Sequence, residues 1–132
     1  MPALPISADY LDLLEGPTVA HLATVDEQGR PQANPVWFLW DGENVTMSMQ
    51  ASTIKYRNLR ANPAMALSMI DPADPHRYLE VRGEAVEWEL YLTLDYVNEL
   101  AMKYTGTTFD DSTAGEERYK MVFKPRWWTG QV

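Results

Sequence analysis

Three basic residues, Lys55, Arg57 and Arg60, fall within one short stretch, directly after the hydroxylated pair Ser52 and Thr53. The segment Gln50-Ala51-Ser52-Thr53-Ile54-Lys55-Tyr56-Arg57-Asn58-Leu59-Arg60 reads as a strand end passing into a helix start. Free backbone N–H groups and the positive end of the helix dipole favour an anion there, and Ser52 and Thr53 add hydroxyl donors. Lys55 sits in the first turn, where its charge opposes the dipole; a bound phosphate would offset that local cost. The same charges also suit a solvated helix face, and spacing alone leaves both readings open.

A second candidate is the run Gln32-Ala33-Asn34-Pro35-Val36-Trp37-Phe38-Leu39-Trp40. Pro35 has no N–H for a ladder, so this strand belongs at a sheet edge or is locally irregular. Trp37, Phe38 and Trp40 put aromatic mass on both faces. Part of it is core, and the remainder suits a wall for a flat heterocycle or a contact with a second subunit. His21 and His76 lie far apart without a close acidic set, so no metal-site spacing is present, and nothing resembles a Ser–His–Asp triad. The chain has no cysteine, which excludes disulfides, thiolate metal sites and thiol catalysis. It also lacks G-x-G-x-x-G and Walker sequences. With no catalytic constellation of its own, any chemistry has to come from a bound cofactor.

The elements that would position these residues can be read from periodicity. At 132 residues the chain is about one domain long, and no internal repeat or linker divides it. Ser7 is placed to cap a short helix, Ala8 to Glu15, stopped by Gly16-Pro17. Thr18 to Val25, Arg30 to Trp40 and Glu43 to Met49 form an antiparallel meander, with turns at Asp26-Glu27-Gln28-Gly29 and Asp41-Gly42. Thr53 caps a helix from Ile54 to Arg60, ended by Asn62-Pro63. Ala64 to Ile70 reads as a buried strand, followed by the loop Asp71 to Pro75 and a long strand from Arg77 to Glu89. Leu90, Leu94, Val97, Ala101 and Tyr104 recur at helical spacing. A polar loop from Thr105 to Gly115 precedes a last strand, Tyr119 to Trp128; the carboxylate runs Asp110-Asp111 and Glu116-Glu117 read as solvated charges. About six antiparallel strands of this length bury best by curling into a barrel or two packed sheets.

Charge narrows the partners. The formal net charge of −8 disfavours nucleic acid and anionic lipid. Basic residues nonetheless cluster at Lys55 to Arg60 and at Lys120, Lys124 and Arg126, local cationic spots of the kind a small anionic ligand needs. No apolar run approaches the roughly 18 residues of a membrane helix, and the first residues lack a secretory pattern. The expectation is a cytosolic protein.

Five segments in order carry a family resemblance: ATVDEQGRPQANPVWFLWDG (Ala23 to Gly42), STIKYRNLRANPAMALS (Ser52 to Ser68), YLEVRGEAV (Tyr78 to Val86), MKYTG (Met102 to Gly106) and ERYKMVFKPRWW (Glu117 to Trp128). Together the chain resembles the pyridoxamine 5'-phosphate oxidase-like split-barrel superfamily, specifically the group B flavin/deazaflavin oxidoreductases of actinobacteria. The resemblance implies a six-stranded antiparallel Greek-key split β-barrel with flanking short helices, spanning 1–132. It also implies a homodimer packed barrel to barrel, with two cofactor sites at the subunit interface. Similar members usually bind the deazaflavin F420, and FMN-binding relatives exist. By position, Lys55, Arg57 and Arg60, with Ser52 and Thr53, would hold the cofactor's phosphate and acidic tail, and Pro35, Val36 and Trp37 would line the ring. Tyr56 stands where some relatives carry a small or basic residue. FMN relatives often place further Arg or Lys on the strand corresponding to Glu43 to Met49, which has none here and so points towards F420. The implied activity is hydride transfer from reduced F420 to a conjugated, quinone-like or tetrapyrrole acceptor. An FMN-dependent oxidoreductase and a non-catalytic cofactor- or tetrapyrrole-binding protein are the alternatives.

Overall fold

A computed structural model describes residues 4–109 and 117–131 of the chain. Seven antiparallel strands form one sheet: β1 (Ala20–Val25), β2 (Pro31–Val36), β3 (Leu39–Trp40), β4 (Val45–Met49), β5 (Ala64–Asp71), β6 (Asp74–Tyr91) and β7 (Arg118–Gln131). Among the described residues three helices accompany them: α1 (Leu11–Glu15), entered through a 3-10 turn at Ala8–Tyr10, α2 (Ile54–Ala61) and α3 (Asp95–Thr105). The strand order is β2-β1-β5-β6-β7-β4-β3.

That order dictates the shape. The two outermost strands, β2 and β3, are consecutive in the chain and joined by Trp37 and Phe38 alone. Seven strands laid flat would hold their edges about 29 Å apart, whereas the link from Val36 to Leu39 spans at most about 11 Å. The sheet must therefore roll until its edges meet end to end. The edges do not pair with each other, so the barrel stays split along this seam. The seven-stranded sheet replaces the expected six because the single strand read from Arg30 to Trp40 breaks at Trp37-Phe38. Pro35 stands, as its missing N–H requires, on an edge strand.

Rolling buries one face of each strand. β4 alternates buried Val45, Met47 and Met49 with partly exposed Thr46 and Ser48. β1 contributes Leu22, β5 Leu67 and Met69, β6 Leu79 and Val81, and β7 Met121 and Phe123, all nearly inaccessible. Methionine fills the irregular space of a curved core well because its side chain is unbranched and polarisable. Leu13 and Leu14 of α1 close one end of this core. On the other side Asn58 of α2 donates from Nδ2 to Thr24 Oγ1 of β1 at 3.0 Å, both residues buried.

The long strands bend through bulges. Register shifts interrupt the β6–β7 ladder between Arg82 and Gly83 and between Ala85 and Glu87. At the first, a Cβ on Gly83 would lie 2.0 Å from the Lys124 carbonyl oxygen, so only glycine lets the strands approach there. β6 also runs to Tyr91 rather than Glu89, because Leu90 and Tyr91 stay paired with Tyr119 and Arg118. The following helix accordingly starts at Asp95, later than the periodicity from Leu90 suggests. The expected loop at Asp71–Pro75 is a tight hairpin turn, with Asp71 Oδ1 accepting from the Ala73 N–H at 2.8 Å. Most of the polar loop expected from Thr105 to Gly115, Asp110-Asp111 and Glu116 fall outside the described residues.

One ion cluster ties the N-terminal helix to the β5–β6 hairpin. Arg77 donates from Nη1 to Asp12 Oδ2 at 2.9 Å and to Asp71 Oδ2 at 3.0 Å, and from Nη2 to the Asp9 carbonyl at 2.6 Å. The Arg77 hydrogen bond holds the Asp12 carboxyl below its ordinary range. The Ala73 N–H and then Arg77 do the same for Asp71. A carboxylate with a depressed folded pKa stabilises fully above its unfolded pKa and loses that contribution as pH falls through the folded value. Between about pH 5 and about pH 3 the wild-type melting temperature is expected to fall further than that of Arg77→Met. Equal falls in a calorimetric comparison would show that the cluster does not carry the acid sensitivity.

Candidate functional site

A cleft of about 520 Å³ opens beside the seam, within the range usual for small-molecule sites. Its walls come from the end of β2 (Pro35, Val36, Trp37), the end of β4 (Ser48, Met49, Gln50), the entry to α2 (Thr53, Lys55), α3 (Val97, Leu100) and the separate residues Val19, Phe109 and Arg118. Two chemistries meet in it. Trp37, Val36, Val97, Leu100 and Phe109 give it apolar lining, and Ser48, Gln50, Thr53, Lys55 and Arg118 give it polar and cationic lining.

The polar lining is built by capping. Thr53 Oγ1 accepts from the Tyr56 N–H at 3.3 Å and donates to the Gln50 carbonyl at 2.7 Å. This starts α2 so that Lys55, in its first turn, lines the cleft. Lys55 is half-buried, and it makes no hydrogen bond or ion pair with any described residue. Burial pushes its ammonium below the ordinary lysine pKa, as expected where solvent is displaced and no counter-charge replaces it. Arg118, only 8 % exposed, adds a second cation. Its guanidinium also lies close enough to Tyr91 to pull that phenol down against the dominant upward effect of burial.

The apolar lining is built by stacking. Trp37 lies parallel to Tyr104, with centroids 5.0 Å apart and planes 2° from parallel, and Phe109 flanks it at 6.4 Å. Tyr104 is not a cleft-lining residue; it backs the indole from behind. Burial pushes the Tyr104 phenol up to about 12 and the ammonium of its neighbour Lys103 down to about 8, so at neutral pH Tyr104 is protonated and Lys103 charged. On the wall between this cleft and a smaller acidic recess, the Ser48 and Tyr91 hydroxyls are hydrogen-bonded to each other.

The structure thus brings together Pro35, Val36, Trp37, Thr53 and Lys55 from the sequence-based candidates. It does not bring in the other three. Ser52 is exposed and is not among the residues lining the cleft. Arg57, one helical face away, borders a surface recess with Asp26, Glu27 and Gln28. Arg60 lies over the rings of Tyr56 and Trp88, 5.7 and 5.2 Å from their centroids. The reason is helical geometry, since residues two and five positions beyond Lys55 project to other sides of α2. Sequence reasoning missed Val19, Ser48, Met49, Val97, Leu100, Phe109 and Arg118, and took Gln50 only as the strand end before α2. Nothing local marks them, because they come from separate elements and meet only after the sheet rolls. Among the described residues no group of three or more His, Cys, Asp or Glu stands ready to hold a metal ion. No helix among them is long and apolar enough to cross a membrane.

A rolled, unclosed antiparallel sheet with a cleft at its seam is a split β-barrel. The chain belongs to the pyridoxamine 5'-phosphate oxidase family, whose family model matches residues 6–131. Among solved structures, one named F420 reductase is 39% identical, with a TM-score of 0.88 over 94% of this chain and 98% of its own. HupZ of Group A Streptococcus, at 17% identity, has a TM-score of 0.69 over 96% of this chain and 94% of its own. A conserved hypothetical protein of Mycobacterium tuberculosis, at 18%, has a TM-score of 0.72 over 98% and 86%. The last two share the fold alone. No curated protein matches the chain.

If Lys55 holds an anionic group in the cleft, its loss removes one charge-assisted contact, worth about 1.5–3 kcal/mol. Lys55→Ala is expected to weaken FMN, used as a phosphate-bearing probe, by roughly tenfold or more while leaving riboflavin unchanged. Equal affinities for FMN in the variant and the wild type would remove Lys55 from the site.

Proposed function

We propose that the chain is an F420-dependent reductase that delivers a hydride to a conjugated, quinone-like or tetrapyrrole acceptor. The observation that carries this reading is the mixed lining of the cleft: an indole stacked on Tyr104 and an unpartnered, half-buried lysine line one cavity. That donor set fits a flat heterocycle with an anionic tail. The likeness to a structure named F420 reductase supports the deazaflavin, as does the absence of Lys and Arg from β4. The family's name keeps FMN as the second reading.

When bound, the deazaflavin supplies a two-electron hydride donor; the protein binds, orients and manages protons. Trp37 would line the ring, and Lys55 and Arg118 would neutralise the tail. Val97 and Leu100 of α3 add apolar lining to the cleft. Ser48 is the hydroxyl on the cleft wall, and its partner Tyr91 also borders the acidic recess beyond. The pair can hold a proton at Ser48 Oγ and replace it from Tyr91. Exposed Val19 and Phe109 at the rim, 42 % and 40 % accessible, are apolar surface that a second copy would cover. A cytoplasmic homodimer with cofactor sites at the interface is therefore part of the proposal.

Titration with F420 and separately with FMN, read by fluorescence quenching at fixed salt, tests the assignment. Tighter binding of F420 is expected. Preference for FMN moves the protein to the second reading, and binding without turnover of any quinone or tetrapyrrole leaves a carrier. With menadione as acceptor, Ser48→Ala is expected to lower kcat by about 100-fold with cofactor affinity unchanged. An unchanged kcat would assign the proton to solvent.

A further inference from the structure

The segment Met102-Lys103-Tyr104-Thr105-Gly106 closes α3 and contributes no residue to the cleft lining. Its side chains are nevertheless spent on the seam. Between β2 and β3 the ladder is broken, so Phe38 has backbone groups that no strand pairs. Both are taken up by α3. The Phe38 N–H donates to Tyr104 Oη at 3.3 Å, and the Phe38 carbonyl accepts from Lys103 Nζ at 2.8 Å. Lys103 also donates to the Leu14 carbonyl at 3.2 Å, and its Nζ lies 4.0 Å from the centroid of the buried Phe38 ring. Tyr104 Oη in turn donates to the Thr18 carbonyl at 2.8 Å. Gly106, at φ 76°, ends the helix in the left-handed region with its N–H on the Met102 carbonyl. The chain then returns so that the Phe109 N–H meets Asn98 Oδ1 at 2.9 Å, with its ring beside Trp37.

We infer that Lys103 and Tyr104 are positioning residues: they lock the Trp37-Phe38 link and so fix the plane of the indole on which the flat ring of the ligand lies. The inference rests on the reading of the cleft as a flavin or deazaflavin site. Its physical content is preorganisation. A free indole at a two-residue strand break would sample several rotamers, and ordering one on binding costs affinity. Here the phenol of Tyr104 fixes its ring by two backbone hydrogen bonds, and that ring fixes Trp37 by parallel stacking. Lys103 holds the next peptide, Phe38–Leu39, by its carbonyl and ties it to the Leu14 carbonyl at the end of α1. Affinity for the ring is then set partly by two side chains that never touch it.

Riboflavin, FMN and F420 are the probes, and Lys103→Met, Lys103→Arg, Tyr104→Phe and Tyr104→Leu the variants. Tyr104→Phe keeps the ring stack and loses both hydroxyl bonds, so it serves where the larger changes fail to fold. Lys103→Met and Tyr104→Phe are expected to bind riboflavin and FMN about tenfold more weakly, by the same factor for both. That equality separates a ring effect from loss of Lys55, which affects FMN alone. Lys103→Arg, which retains donors and charge, is expected to recover most of the affinity. In the ligand-free proteins, the near-UV circular dichroism of Trp37, isolated by difference from Trp37→Phe, is expected to shrink in Tyr104→Phe and shrink further in Tyr104→Leu. A purely structural role would lower the melting temperature and leave both the affinity of the folded protein and the Trp37 signal unchanged; that result overturns the inference. If the wild type binds none of the three probes, the cleft reading fails, and the Trp37 signal alone decides whether the lock exists.

Discussion

Everything in this molecule follows from one short covalent link. The strands at the two edges of a seven-stranded sheet are neighbours in sequence, separated by Trp37 and Phe38. Two residues cannot bridge a flat sheet of that width, so the sheet rolls, buries one face and leaves a seam where strand pairing fails. A seam of this kind has costs. It strands backbone polar groups and it exposes apolar surface at the edges. The structure meets the first cost with the hydroxyl of Tyr104 and the ammonium of Lys103. The second it puts to use, since the apolar edge residues Pro35, Val36 and Trp37 become one wall of the cleft.

The cationic part of the lining obeys a different logic. Lys55 stands half-buried at the start of α2, where the helix dipole already disfavours a cation, and no described residue neutralises it. Thr53 spends its hydroxyl on building the turn and caps the helix without reaching for the lysine. A fold optimised for stability alone would pair this charge or expose it. The two other bases of the segment are treated in those ordinary ways. Arg57 is exposed, and Arg60 lies over the aromatic pair Tyr56 and Trp88. The contrast among the three bases of one helix lies in their surroundings and not in their charge: Lys55 alone of them lines the cleft.

The cleft also shows how few of its groups are chemically committed. Among the described residues that line it no nucleophile is paired with a base; the Ser48 hydroxyl is bonded to Tyr91 and that of Thr53 to backbone. Such a site orients and neutralises; it does not itself carry electrons. That division of labour suits chemistry imported by a bound cofactor, with the walls left to orient it.

Taken alone, the sequence determined the local features. Turn residues at Asp26–Gly29 and Asp41-Gly42, alternation along β4, the Thr53 cap and the Pro35 edge strand are decided by backbone sterics and by a period of two or of 3.6, so they can be read within a few residues of themselves. The apolar wall at Pro35 to Trp37 and the lysine at position 55 were legible for the same reason. The tertiary structure alone decided which distant elements meet. Ser48, Arg118, Val19 and Phe109 reach the cleft because the sheet rolls, and Lys103 and Tyr104 matter because that rolling leaves Phe38 unpaired. Ser52, Arg57 and Arg60 fall outside it because of the face of α2 that packs. Long-range register, the break between β2 and β3 and the burial of a charge depend on contacts between residues far apart in the chain, and no local pattern encodes them.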